Sequence, residues 1–252
     1  MPEPTRPIAL VTGASRGIGR AIARRLAPTH DIVAVARTTP ALAAVGADVA
    51  ALGARCHPIA CDVADPRAVA ASLGPDALGA ALGERAVDVL VHNAGVGVLK
   101  PMLELAPEEW HAMVDVNVNA LYHVSRALLP AMVAAGRGHV VVVGSIAGRS
   151  AFVGGACYAA TKHFVMGFAE SLMLEVRDAG VKVSVVSPGA VATHFGGKEG
   201  AADTAAPHAE RPATKLMADD VAEAVAYAVH TPPEVLVHRV EVRVLSPKRG
   251  GS

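Results

Sequence analysis

Ile8-Ala9-Leu10-Val11-Thr12-Gly13-Ala14-Ser15-Arg16-Gly17-Ile18-Gly19 is the stretch that decides the fold of this chain. A short apolar run passes through three glycines straight into the helix-forming Arg20-Ala21-Ile22-Ala23-Arg24-Arg25-Leu26. Glycines let a backbone turn tightly and approach a pyrophosphate, and the helix that follows offers N–H groups and the positive end of its dipole. Read alone, such a turn is equally a tight strand-to-helix connection without a ligand. Its surroundings have to decide.

Outward from that turn, apolar β-branched runs recur at 32–36, 57–61, 87–91, 140–143, 181–186 and 237–245. Alanine- and leucine-rich helical segments lie between them, at 17–27, 40–53, 66–82, 107–135, 157–179 and 218–229. Seven strands are implied, and most are apolar throughout instead of alternating, which is how strands read when helices cover both faces of a parallel sheet. The expected fold is α/β, a doubly wound, seven-stranded parallel sheet of Rossmann type in one domain over residues 1–252. Asp65-Pro66 marks a capped helix start and Gly180 a helix end. One polar, Gly/Ala/Pro-rich stretch, about 194–214, reads as a substrate lid or as a surface loop without function.

Lys+Arg and Asp+Glu balance at 23 each, so no basic field exists for nucleic acid or an anionic membrane, and a small-molecule partner is expected. No apolar run approaches the roughly 18 residues of a membrane span, and Met1 to Pro7 lacks the apolar stretch of a signal peptide, so the expected location is cytoplasmic. Cys56, Cys61 and Cys157 are odd in number without CxxC spacing, and the histidines form no HxH or HExxH arrangement. Reduced thiols and no catalytic metal are expected.

At the end of the second strand, where an acidic residue would accept from the adenosine 2′-OH of NAD, stands Arg37, and Arg16 sits in the glycine turn. Two guanidiniums on one ribose suit a 2′-phosphate, so NADP(H) is expected over NAD(H). The alternative for each is a solvated surface charge.

Tyr158 and Lys162 are i and i+4 on one helix face. An ammonium about 4 Å from a phenol, at an effective dielectric near 20, contributes roughly 4 kcal/mol and would pull the phenol pKa down towards neutrality. That makes Tyr158 a candidate general acid/base, although the spacing also arises by chance. Ser145, in Gly144-Ser145-Ile146-Ala147-Gly148 after the fifth strand, places a hydroxyl at the sheet edge where such folds bind ligands, or is an ordinary turn serine.

Together these features resemble the short-chain dehydrogenase/reductase family: TGxxxGxG at Thr12 to Gly19, NAG at Asn93 to Gly95, Asn117, Ser145, YxxxK at Tyr158 and Lys162, and Pro188-Gly189. The resemblance covers essentially the whole chain. It implies an NADP(H)-dependent oxidoreductase acting on a small carbonyl or alcohol, with Asn117, Ser145, Tyr158 and Lys162 catalytic. In it, Tyr158 protonates the carbonyl oxygen that Ser145 also holds, Lys162 binds the nicotinamide ribose, and Asn117 positions a water behind the lysine. Asn117 reads otherwise as a helix-bending polar residue, easily confused with Asn119.

The same resemblance assigns Gly13, Ser15, Arg16, Gly17, Ile18 and Gly19 to the pyrophosphate turn, Arg37 to the ribose, and Asp62 and Val63 to the adenine. Asn93, Ala94 and Gly95 lie beside the adenine, while Pro188, Gly189, Val191 and Thr193 hold the carboxamide side. Asp62 reads alternatively as a helix cap, for which Asp65 is better placed. By analogy the substrate pocket is Val96, Leu99, Ile146, Phe152, His194 and Phe195, a largely apolar set that suits a neutral ketone or aldehyde.

Two departures stand out: His92 where the family commonly has asparagine, and a last apolar run that passes into Ser246-Pro247 where acyl-carrier-protein reductases commonly have a glycine pair. The helices near 110–133 and 158–176 carry apolar residues on more than one face, so a homo-oligomer, dimer or tetramer, is expected. Rival readings are a nucleotide-sensing protein without turnover and a lyase or epimerase on the same scaffold. The first usually lacks the tyrosine or lysine, and the second shows altered glycine spacing or arginine for the lysine.

Overall fold

Seven strands, β1 (Ile8–Thr12), β2 (Asp31–Ala36), β3 (Cys56–Ala60), β4 (Val89–His92), β5 (Gly138–Val143), β6 (Val181–Pro188) and β7 (Arg239–Val242), form one sheet. Its order is β3-β2-β1-β4-β5-β6-β7, and every pairing is parallel. The computed structural model describes residues 6–83, 85–193, 195 and 214–245. Winding reverses between β1 and β4, which opens a crevice at the carboxyl ends of the central strands.

Eight α-helices flank the sheet: α1 (Gly17–Leu26), α2 (Thr39–Ala51), α3 (Pro66–Leu73), α4 (Pro75–Leu82), α5 (Pro107–Val114), α6 (Ala120–Ala134), α7 (Ala156–Val176) and α8 (Ala218–Val229). In β1, Ile8 and Leu10 point into a core shared with α3, α4, α6 and α7, whereas Ala9 and Val11 point into one shared with α1, α2 and α8. Both sides of the strand are therefore apolar, as its sequence implied. The edge strands β3 and β7 are only partly buried. An edge position tolerates Pro58, whose missing N–H would break a central ladder.

Several expected boundaries move, each for a local reason. The helix expected over 66–82 is two, because Gly74 before Pro75 is held extended at φ −66°, ψ 163°. The long helix expected over 107–135 is interrupted by a π-helical turn, Asp115–Asn119. Helix α7 tightens into a 3₁₀ turn, Arg177–Ala179, and Gly180 leaves it at φ 74°; a side chain there would meet the Gly136 carbonyl at 2.3 Å. The last strand is shorter than 237–245. Apart from Phe195 and Thr214, the stretch expected as a lid lies outside the described residues, as does His194. Among the described residues no helix is long and apolar enough to cross a membrane.

Candidate active site

The glycine turn is locked onto the end of β4 by a set of short contacts. Thr12 Oγ1 donates to the Val91 carbonyl at 3.2 Å and accepts from the amides of Asn93 (3.0 Å) and Ala94 (3.1 Å). The Asn93 amide donates back to the carbonyls of Thr12 (3.0 Å) and Gly13 (3.2 Å), so Asn93 holds the turn in shape. Gly13 is left-handed at φ 66°, and a Cβ on Gly19 would lie 2.2 Å from the Gly13 carbonyl oxygen. Glycine at 19 thus lets the N-terminus of α1 close directly on the turn.

No acidic side chain stands in the first turn of α1, and Arg16 at its N-cap makes no side-chain cap. Arg16 and Arg37 are both exposed, with Arg37 directly after the last residue of β2, and neither has an acidic partner among the described residues. A tight glycine cradle, a helix start with no acidic side chain in its first turn and two exposed guanidiniums fit a phosphorylated dinucleotide. Val63 is buried, while the Asp62 carboxylate accepts from the Ala64 amide at 3.1 Å. Asp65, not Asp62, caps α3 through the Arg67 amide at 2.8 Å. Thr193 packs against Gly17, and Val191 pairs with Leu216. Gly189 donates its amide to the Val242 carbonyl at 2.8 Å, with Ile146 close by.

Across the crevice, Ser145 follows β5 and Tyr158 and Lys162 lie in the first turns of α7, where both are buried. The Ser145 hydroxyl accepts from the Ala147 amide at 3.1 Å. The Lys162 ammonium donates to the Val143 carbonyl at 3.2 Å. The π turn explains Asn117: a widened turn rotates it inward, where it is 3% exposed. Its amide clamps Val96, accepting from that residue's N–H at 2.9 Å and donating to its carbonyl at 2.8 Å. It also donates to Thr161 Oγ1 at 3.0 Å, and Thr161 donates to the Tyr158 carbonyl at 2.8 Å. Asn119 instead donates to Asp115 on the outer side.

One expectation is corrected. The phenol of Tyr158 is not acidified by its lysine: burial raises its pKa above the ordinary value, opposed only by the Ser145 hydroxyl hydrogen-bonded to it. Burial likewise lowers Lys162 to about 8. Spacing put both groups on one face, but that face is buried, and the loss of water raises the phenol while it lowers the ammonium. The phenol is accordingly protonated at neutral pH, ready to donate.

Phe195 meets the Tyr158 ring edge-on at 5.5 Å and 62°, and its ring occupies the space above Gly97. Phe152 folds back over Gly155. Val96, Leu99, Phe152 and Phe195 are exposed around this mouth, and Lys100 beside them is paired with Glu109 at 2.5 Å. Sequence reading missed Thr161, which ties Asn117 to the tyrosine's turn, and Gly97, and it singled out His92 without its buried partner Ser125. Gly97 and Thr161 sit inside or next to quoted motifs, but their roles depend on partners far along the chain.

A family model described as short chain dehydrogenase matches residues 7–204. Sulfoacetaldehyde reductase 2 of Chromohalobacter salexigens is 36% identical over 245 residues, covering 93% of each chain. The NADP-dependent 3-hydroxy acid dehydrogenase YdfG of Salmonella typhi is 33% identical over 254 residues, 97% of each chain. Among solved structures, a metagenomic short-chain oxidoreductase in complex with NADP superimposes with a TM-score of 0.79 at 36% identity, covering 95% of this chain and 97% of that one. The chain belongs to the short-chain dehydrogenase family and is an oxidoreductase of that family.

Proposed function

We propose that this protein reduces a small ketone or aldehyde to its alcohol, or runs the reverse, with NADP(H) as the hydride partner. The observation that carries the reading is the buried Tyr158–Lys162–Asn117 group with the half-buried Ser145 beside it, set across the crevice from a glycine turn flanked by Arg16 and Arg37. In the bound state NADPH supplies the hydride to the carbonyl carbon. Gly13, Ser15, Gly17, Ile18 and Gly19 would receive the pyrophosphate, Arg16 and Arg37 the 2′-phosphate, and Asp62, Val63, Ala94 and Gly95 the adenosine side. Pro188, Gly189, Val191 and Thr193 would hold the other end. Relatives and neighbours whose names carry NADP favour the same choice of cofactor.

Within the protein, Ser145 holds the substrate oxygen and Tyr158 donates its proton to that oxygen as charge develops. The raised pKa of the buried phenol keeps it in the donating form at neutral pH. Lys162 orients the ribose and provides positive charge behind the tyrosine, and Asn117 fixes the loop at Val96 that floors the site. The apolar mouth, with its nearby lysine already paired, suits a neutral carbonyl compound. Tyr122 and Val133 on α6 and Phe164 and Leu174 on α7 leave exposed apolar surface that a homo-oligomer would cover.

The test is a panel of carbonyl compounds with NADPH and NADH, following loss of reduced-nicotinamide absorbance, on the wild-type chain and on Tyr158→Phe. Turnover that prefers NADPH and falls at least about 100-fold in the variant, with NADPH binding retained, is the expected result. Undiminished turnover in Tyr158→Phe refutes the assignment.

A further inference from the structure

Beneath the candidate site, between the ends of β1, β4 and β5 and the helices α6 and α7, lies a cavity of about 20 Å³, room for one water molecule. Valines, alanines and Leu121 form most of its wall, and its polar side chains are Thr12, His92, Asn117 and Lys162. Thr12 is already committed to three backbone groups, and Asn117 to Val96 and Thr161. That leaves the lysine and the histidine to face the cavity. Lys162 has three N–H donors and uses one on the Val143 carbonyl. His92 is 7% exposed and engages Ser125 Oγ through Nε2 at 2.9 Å, so Nδ1 is the nitrogen left for the cavity.

We propose that His92, steadied by Ser125, is a positioning residue for Lys162, the two side chains being joined through one water molecule bound in this cavity. The proposal rests on the reading of Lys162 as part of an oxidoreductase site. A water there accepts from the ammonium and donates to Nδ1, completing a chain from Lys162 to Ser125 that crosses the core without a counter-ion. Around Lys162 the polar and titratable groups are Tyr158 on its own helix, Asn117 of the π turn, Thr12 at the end of β1, His92 at the end of β4 and the Val143 carbonyl. No acidic side chain among the described residues shifts it. Burial drives His92 down to about 3, so it remains neutral, an acceptor, throughout the working range of an enzyme.

Asparagine at 92 places its amide where Nδ1 sits but does not reach Ser125, whereas leucine removes both contacts. In the free chain the Lys162 side-chain carbon shift, titrated by NMR from about pH 6 to pH 11, is expected to report a pKa lower by about half to one pH unit in His92→Leu and near wild type in His92→Asn. In the wild type, imidazole nitrogen shifts should place the proton on Nε2. If His92→Leu does not fold, Ser125→Ala takes its place, with a shift in the same direction and smaller in size. With substrate, kcat/KM for alcohol oxidation at pH 7 falls about three- to tenfold in the leucine variant and stays near wild type in His92→Asn. Equal titrations in all variants, equal shifts in His92→Leu and His92→Asn, or a proton on Nδ1 each overturn the proposal. An inactive wild type defeats the oxidoreductase reading instead, and the titrations in the free chain still decide this one.

Discussion

Replacing Lys162 by methionine is expected to stabilise the folded chain at pH 7 while removing its turnover. The lysine is 7% exposed, and burial lowers it to about 8 from an ordinary value of 10.5. That gap corresponds to roughly 3 kcal/mol of disfavoured charge. The sign follows from proton counts. Between pH 8 and 10.5 the unfolded chain binds more protons than the folded one, so stability rises with pH through that window. At pH 7, below both values, the whole penalty is present.

Methionine has similar length and no charge, and it gives up the 3.2 Å bond to Val143, about 1 kcal/mol net, together with the weaker water-mediated contact proposed for His92. A net gain of about 2 kcal/mol remains, or a rise in Tm of about 4–8 °C for a chain of this size. Calorimetry and urea unfolding at pH 7 and near pH 10 measure it, and the advantage should shrink at the higher pH as the wild type sheds its proton. A variant that is less stable at pH 7, or whose gain is the same at both pH values, would refute the account of Lys162 as a charge held at a cost for function.

Acid should weaken the fold through two buried neutral histidines, His92 and His139, both lowered to about 3 by burial. Their contribution is complete above the unfolded value near 6.5 and is lost as pH falls towards 3, together roughly 4 kcal/mol between pH 7 and pH 5. His139 bonds Ser184 at 2.7 Å through Nε2 and buries an unpartnered Nδ1, so His139→Leu should lose about half as much, and urea midpoints that drop equally in both proteins would disprove it. Gly19→Ala drives a methyl into the Gly13 carbonyl and should destabilise the chain by about 1–3 kcal/mol while weakening NADPH at least about tenfold, read by nicotinamide fluorescence; unchanged binding argues against the turn as the phosphate site. Arg37→Asp should weaken NADPH by about 10- to 100-fold and NADH little, and equal losses for both would remove Arg37 from the ribose phosphate.

Local chemistry along the chain was enough to specify the alternating β and α units, because a strand buried on both faces needs an unbroken apolar run and a helix needs its own period. The glycine turn was legible for the same reason, since the left-handed φ of Gly13 and the close approach at Gly19 exclude other side chains whatever lies nearby. So was the helix end at Gly180, and the break at Gly74-Pro75 obeys an equally local rule that the periodicity of 66–82 concealed. Tertiary packing alone decided the rest. Asn117 turns inward through a π turn and finds Val96 and Thr161, a partner 44 positions away, and no spacing in the sequence encodes that meeting. The cavity joining His92 to Lys162 exists only because β1, β4, β5, α6 and α7 converge there. The state of Tyr158 was misread from spacing because a pKa depends on how much water surrounds a group, and that is a property of the folded neighbourhood, not of the i, i+4 pair.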